Sequence, residues 1–130
     1  MPSLEISLPR QTKDVREKLV SKLTDDFARY TNYDVEAFGI RFLEYDVGES
    51  ANAGRIWDGK TGKPYIHFKM FIPRRTVTEK SNMIKAFTES FADCLGRSDW
   101  APVIYFCELD DDSVGFSGKS LAEHKNSSSS

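Results

Sequence analysis

The chain has 130 residues, 39% apolar and 29% charged, with 18 basic against 20 acidic side chains and a net charge of -2. That is one domain's length with enough apolar content for a core. The charge balance lacks the basic excess of a general nucleic-acid binder, and no apolar run reaches membrane-spanning length. Met1 leads directly into an alternating segment rather than a secretory signal, so a cytoplasmic location is the default expectation. Cys94 and Cys107 are too far apart for a metal pattern and read as buried free thiols. His67 has no local metal-binding companion and His124 belongs to the tail region, so neither a metal nor another cofactor is expected.

Residues 2 to 8 alternate, with Leu4, Ile6 and Leu8 against Ser3, Glu5 and Ser7, which predicts a strand with one wet face that Pro9 ends. From 12 to 30 the period becomes helical: Val15, Leu19, Leu23, Phe27 and Tyr30 form a stripe, with Thr12 as N-cap. Residues 38 to 45 return to β-prone character. A Gly-rich stretch follows, with a short edge strand at Arg55, Ile56 and Trp57. Pro64 then opens a strand through Phe71, and Thr76 with Glu79 matches a capping box. Residues 79 to 95 carry a second helical stripe of Met83, Ile84, Phe87, Phe91 and Leu95, and 102 to 109 read as a closing strand. Asp110 to Asp112 turn the chain toward another short strand at Val114–Leu121. The last residues, 126–130, read as a disordered polar tail.

The pattern is a duplication. Shifted by 64 positions, Arg10 falls on Arg74, Thr12 on Thr76, Leu23 on Phe87, Phe27 on Phe91, Arg41 on Tyr105, Glu44 on Glu108 and Gly54 on Gly118. Pro2 meets Pro64 at a shift of 62, which implies a second strand or turn two residues longer. Each unit is strand, helix, strand, and the helical crossover makes its two strands parallel. The expected fold is therefore α+β: two β-α-β repeats, about 2–58 and 64–123, in one domain over 1–125. Their four strands form one mixed sheet with two helices on one face. The other sheet face needs cover, which makes an oligomer a physical expectation.

Several side chains suit chemistry on a small carboxylate. Arg74 and Arg75 occupy a strand-to-helix turn, where guanidinium groups and free backbone donors bind anions, or where they simply solubilise a turn. Arg10 repeats the theme in the first unit. Tyr105 points opposite to Ile104 and Phe106 and offers a hydroxyl or a packing ring. Pro2 is a strand-edge proline or, at an exposed amino terminus, a secondary amine able to act as base and then acid.

This order of residues resembles the tautomerase superfamily. The resemblance is to its fused two-repeat members, such as cis-3-chloroacrylic acid dehalogenase and malonate semialdehyde decarboxylase, and it extends over residues 2 to 123. It implies loss of Met1, Pro2 as the catalytic amine, no cofactor, and a homotrimer. Arg75 matches an arginine that holds the substrate carboxylate, with Arg74 as an accessory. Tyr105 matches an active-site tyrosine, and Arg41 is its counterpart in the first unit. The family's histidine, glutamate and aspartate positions are held here by Phe27, Gly115 and Ala37, with Asp112 and Glu36 the nearest acids. The implied activity is tautomerisation of a small keto or unsaturated carboxylic acid. Hydration, dehalogenation and decarboxylation are alternatives within the class, and a non-catalytic oligomeric binding protein with a relic pocket is the alternative outside it. An acidic-surface adaptor using Asp110 to Asp112 is weaker still.

Overall fold

The computed structural model describes residues 1–128. Strand β1 (Ser3–Pro9) buries Leu4, Ile6 and Leu8 on one face and turns Ser3, Glu5 and Ser7 to the other, as its alternation requires. Helix α1 (Lys13–Tyr30) starts where the Thr12 hydroxyl accepts from the Val15 N–H, and it buries Leu19, Leu23 and Phe27. A single 3-10 turn, Val35–Ala37, leads into β2 (Gly39–Tyr45), which pairs parallel with β1 along its whole length. The Gly-rich stretch forms a hairpin of β3 (Ala51–Asn52) and β4 (Arg55–Ile56), separate from the main sheet rather than at its edge.

The second unit repeats this order with β5 (His67–Pro73), α2 (Val77–Leu95), β6 (Val103–Leu109) and a hairpin of β7 (Gly115–Phe116) and β8 (Lys119–Ser120). Each strand lies 64 residues after its counterpart, the same separation that relates Asp26 to Ser90. Both hairpins turn through two left-handed residues, Ala53 (φ 52°) and Gly54 (φ 76°) in one, Ser117 (φ 51°) and Gly118 (φ 80°) in the other. That conformation matches the twist of a tight hairpin, and glycine is the residue that adopts it without strain.

The strict register corrects one expectation. Pro64 does not open β5, and no extra pair of residues lengthens the second unit. The counterpart of Pro2 is Ile66: its carbonyl accepts from the Val103 N–H at 3.0 Å, as the Pro2 carbonyl accepts from the Gly39 N–H at 3.2 Å. Pro64 lies in the preceding connection, where its carbonyl accepts from Asn52 Nδ2. Residue type pointed to the second proline, whereas burial and hydrogen bonding follow the alternation of Ile66, Phe68, Met70 and Ile72.

A second correction concerns the tail. Helix α3 (Leu121–Ser128) continues through the first part of the segment expected to be disordered. A reciprocal cap starts it, with Ser120 Oγ accepting from the Glu123 N–H and Glu123 Oε1 accepting from the Ser120 N–H. His124 stacks on Phe116 and Lys125 pairs with Asp111 at 2.8 Å. The rest of that expected tail, 129–130, lies outside the described residues.

The main sheet has the order β2-β1-β5-β6, with parallel outer pairs and an antiparallel pair in the middle. The core is equally repetitive. Leu4, Ile6 and Leu8 with Leu19, Leu23 and Phe27 are matched by Phe68, Met70 and Ile72 with Met83, Phe87 and Phe91, all fully buried between the sheet and the two long helices. Burying each such side chain contributes roughly 1.5–3 kcal/mol. Where α1 meets α2, Ser90 Oγ donates to Asp26 Oδ2 at 2.6 Å, so two residues in equivalent positions touch each other across the pseudo-twofold axis. Among the described residues no helix is long and apolar enough to cross a membrane.

Burial raises the Asp26 carboxyl above its usual range, against a smaller lowering by the Ser90 hydroxyl. The folded state therefore holds this proton more tightly than the unfolded chain. The charged carboxylate subtracts stability above its folded pKa, and that cost vanishes on acidification below the ordinary carboxylate range. Asp26→Asn keeps an acceptor for Ser90, so it should stabilise the chain at neutral pH, with the gap closing in acid. Urea midpoints for the two proteins across that range check this, and a variant equally destabilised at every pH would contradict it.

Candidate active site

Strand direction decides what gathers around the chain start. Because β1 runs antiparallel to β5, its beginning lies at the end where β5 and β6 finish. The last pair of that ladder is Ser3 with Phe71, so Pro2 sits just beyond it, alongside the approach to Pro73 and the Arg74–Arg75 turn. Pro2 is buried and tied to β2 through the Gly39 N–H. Burial also lowers the pKa of the amine that precedes it on Met1.

Two cavities flank this position. One of about 260 Å³ lies over the first residues of β1 and β2 and is lined by Ser3, Glu5, Gly39 and Arg41, among others. Another of about 320 Å³ lies at the ends of β5 and β6, against Pro73, Arg74, Arg75, Asp110, Asp111 and Lys125.

Arg75 is the more enclosed arginine of the turn. Its side chain is 24% exposed, and its backbone N–H donates to Glu108 Oε2 at 2.7 Å. Its Nε donates to the Arg74 carbonyl, Nη1 lies 3.5 Å from Glu79 Oε2, and the guanidinium carbon sits 5.1 Å from the centroid of the Tyr33 ring. That last contact crosses between units, because Tyr33 belongs to the connection after α1. Tyr33 stacks on Phe27, and Phe27 stacks on Phe38 with centroids 4.1 Å apart. Phe38 precedes the glycine that holds Pro2, so a continuous path of contacts joins Arg75 to the chain start. Arg74 instead extends toward solvent and pairs with Asp110 at 3.0 Å. Asp112, exposed in the following turn, accepts a bond from its neighbour Ser113.

Of the remaining candidates, Arg41 lines the first of these cavities, whereas Arg10 and Tyr105 lie elsewhere in this chain. Arg10 pairs with Asp46 at 3.1 Å at the opposite end of the sheet, the twin of the Arg74–Asp110 pair. Tyr105 lies on the edge strand β6, two strands from β1, which is roughly 10 Å at normal strand spacing. Its hydroxyl bonds the Tyr65 hydroxyl at 2.7 Å, and that bond raises the Tyr65 pKa. Arg41, Glu5, Lys69 and Tyr105 stand in one row across the helix-free face, by the pairings of Glu5 with Arg41 and Lys69, and of Lys69 with Tyr105. His67 shares that face, with Nδ1 buried and without a hydrogen-bond partner. Its pKa is lowered, chiefly by burial and next by Lys69. Thus Pro2 and the Arg74–Arg75 turn lie at one end of the sheet and Arg41 lines the cavity over the first residues of β1 and β2, whereas Arg10 lies at the opposite end and Tyr105 and the Asp112 turn lie on the far side of β5 from Pro2.

Two of the departures noted in the sequence are enforced by packing. Phe27 is fully buried in the core. At Gly115 an added Cβ would lie 2.9 Å from the Lys119 carbonyl across the hairpin, so no side chain fits without backbone movement. Tyr33 and Glu108 escaped attention as site neighbours. The recurrence of a glutamate at the Glu44 and Glu108 positions was the available signal for the second, while nothing local marks Tyr33.

The family model described as tautomerase enzyme matches residues 64–124. No curated protein sequence matches the chain. Among solved structures, a fused 4-OT determined as an asymmetric trimer shares 19% identity over 95% of this chain and 98% of its own, with a TM-score of 0.83. A member of the cis-3-chloroacrylic acid dehalogenase family, N1, shares 18% identity over 98% and 91%, with a TM-score of 0.76. Malonate semialdehyde decarboxylase shares 13% over 95% and 97%, with a TM-score of 0.75. The second unit carries the tautomerase sequence pattern, and the chain as a whole has the fold of the fused tautomerase-superfamily proteins.

Proposed function

We propose that this protein is a cofactor-independent tautomerase of small keto or unsaturated carboxylic acids, with Pro2 as its acid–base group once Met1 has been removed. The observation that carries this reading is the shared location of Pro2 and the Arg74–Arg75 turn at one end of the sheet. A neutral secondary amine there takes a proton from the carbon beside the substrate carbonyl, and the electron pair moves onto the carbonyl oxygen. The resulting ammonium returns the proton at another carbon of the enolate. Arg75 holds the substrate carboxylate, with Arg74 assisting. The burial that lowers the Met1 amine, together with these two cations, disfavours the protonated form of an amine at Pro2 and leaves a neutral fraction available near pH 7.

Tautomerisation is preferred over the related reactions because it requires the fewest groups. Hydration or dehalogenation calls for an acid that activates water, and Gly115 stands at that position with Asp112 the nearest candidate. A homotrimer belongs to the same reading. The helix-free sheet face exposes Arg41, Leu43, Val103 and Tyr105, and the similar fused 4-OT is itself a trimer. Neighbouring copies would then supply Tyr105, Arg41 and Arg10 as polar groups for the developing enolate and for the substrate's far end. A cytoplasmic location goes with this reading.

The stricter test leaves every side chain in place. Adding one residue before Pro2 turns the amine into an amide, so turnover of phenylpyruvate and of short unsaturated acids should disappear relative to the chain that begins at Pro2. Full activity in the extended chain would defeat the mechanism. Arg75→Ala should weaken carboxylate binding by about 1.5–3 kcal/mol, the loss of a charge-assisted contact, with far less effect on folding. Calorimetric titration with a small keto acid and a parallel thermal melt separate the two effects, and equal affinities would remove Arg75 from the site.

A further inference from the structure

We infer that Glu108 is a positioning residue that holds Arg75 in the orientation needed to receive a carboxylate, an inference that rests on the reading of Arg75 as the clamp. Glu108 stands near the end of β6 and reaches across to the turn that follows β5. One of its oxygens, Oε2, accepts from the Arg75 backbone N–H at 2.7 Å, while Oε1 is fixed by Lys80 Nζ at 2.8 Å from the first turns of α2. The side chain is 18% exposed, so this brace is held by its surroundings. The Lys80 ammonium, and next the Arg75 N–H, keep the Glu108 carboxyl below the usual carboxylate range and therefore charged. With its backbone pinned, its Nε bonded to Arg74, Nη1 3.5 Å from Glu79 Oε2 and one face of its guanidinium against Tyr33, Arg75 can present its remaining Nη edge in a narrow range of directions. Fixing a cation in advance reduces the ordering cost of binding.

The first unit contains an equivalent brace, but the backbone N–H it pins belongs to an uncharged residue. Glu44 Oε2 accepts from the Gln11 backbone N–H at 2.7 Å, and Arg16 Nη1 lies 3.1 Å from Glu44 Oε1. Gln11 stands where the second unit has Arg75. Both carboxylates tie a strand-to-helix turn to its neighbouring strand, so both contribute to folding. Only at Glu108 does the residue whose N–H is pinned carry a guanidinium, and the two sites therefore form an internal control.

The test uses the chain that begins at Pro2 and the acetylenic acid 2-oxo-3-pentynoate, whose conjugated alkyne adds a neutral amine. The concentration giving half-maximal labelling reports carboxylate binding, and the limiting rate reports the amine. Glu108→Ala should raise the half-maximal concentration about tenfold, as expected for a disturbed charge-assisted contact, with the limiting rate unchanged. Glu44→Ala should lower the melting temperature comparably and move neither labelling parameter. Glu108→Gln, which keeps an acceptor for the Arg75 N–H, should restore most of the binding. Equal labelling behaviour of the two alanine variants, or a loss confined to the limiting rate, would overturn the inference. If Glu108→Ala does not fold, Lys80→Met removes the support of the brace, and an unchanged half-maximal concentration in that variant overturns it as well. A wild-type chain that is not labelled at all removes the clamp reading and this inference together, whereas a labelled wild type with indifferent variants removes only the brace.

Discussion

The antiparallel pairing of β1 with β5 is the contact on which the rest of this molecule depends. Five residue pairs, from Ser3 with Phe71 to Ser7 with His67, join two complete β-α-β units into one sheet. A slip of one residue would turn Leu4, Ile6 and Leu8 away from the helices, so the buried faces of both strands enforce the register. The same pairing carries the chain start to the finish of β5. An amino terminus that frays in most proteins is here bounded by a strand on each side, and the Arg74–Arg75 turn follows directly from one of them.

The frame is symmetric and the chemistry laid on it is not. At one sheet end stand Pro2 and Arg75. At the other, the equivalent positions hold Ile66, inside a continuous chain with no amine to expose, and Gln11. Duplication supplies two equivalent braces, at Glu44 and Glu108, and two equivalent surface pairs, Arg10–Asp46 and Arg74–Asp110. The fold keeps what both units need for packing. Divergence between the units leaves one end with a candidate base and clamp, and the other end with a side-chain amide.

Much of this was legible in the residues because it follows from periodicity. Alternation in residues 3–9 and the stripes of Leu19, Leu23 and Phe27 and of Met83, Phe87 and Phe91 fix which faces are buried, and the duplicated spacing fixes the sheet's halves. Pro64 matches Pro2 in residue type but not in face, and it is Ile66 that occupies the equivalent position. The helix after Ser120 was hidden because its residues are polar, and its start depends on a reciprocal cap and on the stacking of His124 on Phe116. The candidate site was legible only where local sequence carries it. Pro2 and the arginine turn announce themselves, but the contact of Arg75 with Tyr33 joins different units and has no periodic signature. Tyr105 matched an active-site tyrosine by resemblance, yet the strand order separates it from β1 by β5 within one chain.

The central claim is that an amine at Pro2 is neutral enough to act as a base near neutral pH. Its most direct measurement is a pH titration, by nitrogen NMR, of the chain beginning at Pro2 with 15N-labelled proline. Burial and the nearby cations act in the same direction, so the amine should titrate below the ordinary amino-terminal range of about 7.7–8.0. A midpoint at or above that ordinary range, or a mature protein that retains Met1, would contradict the account.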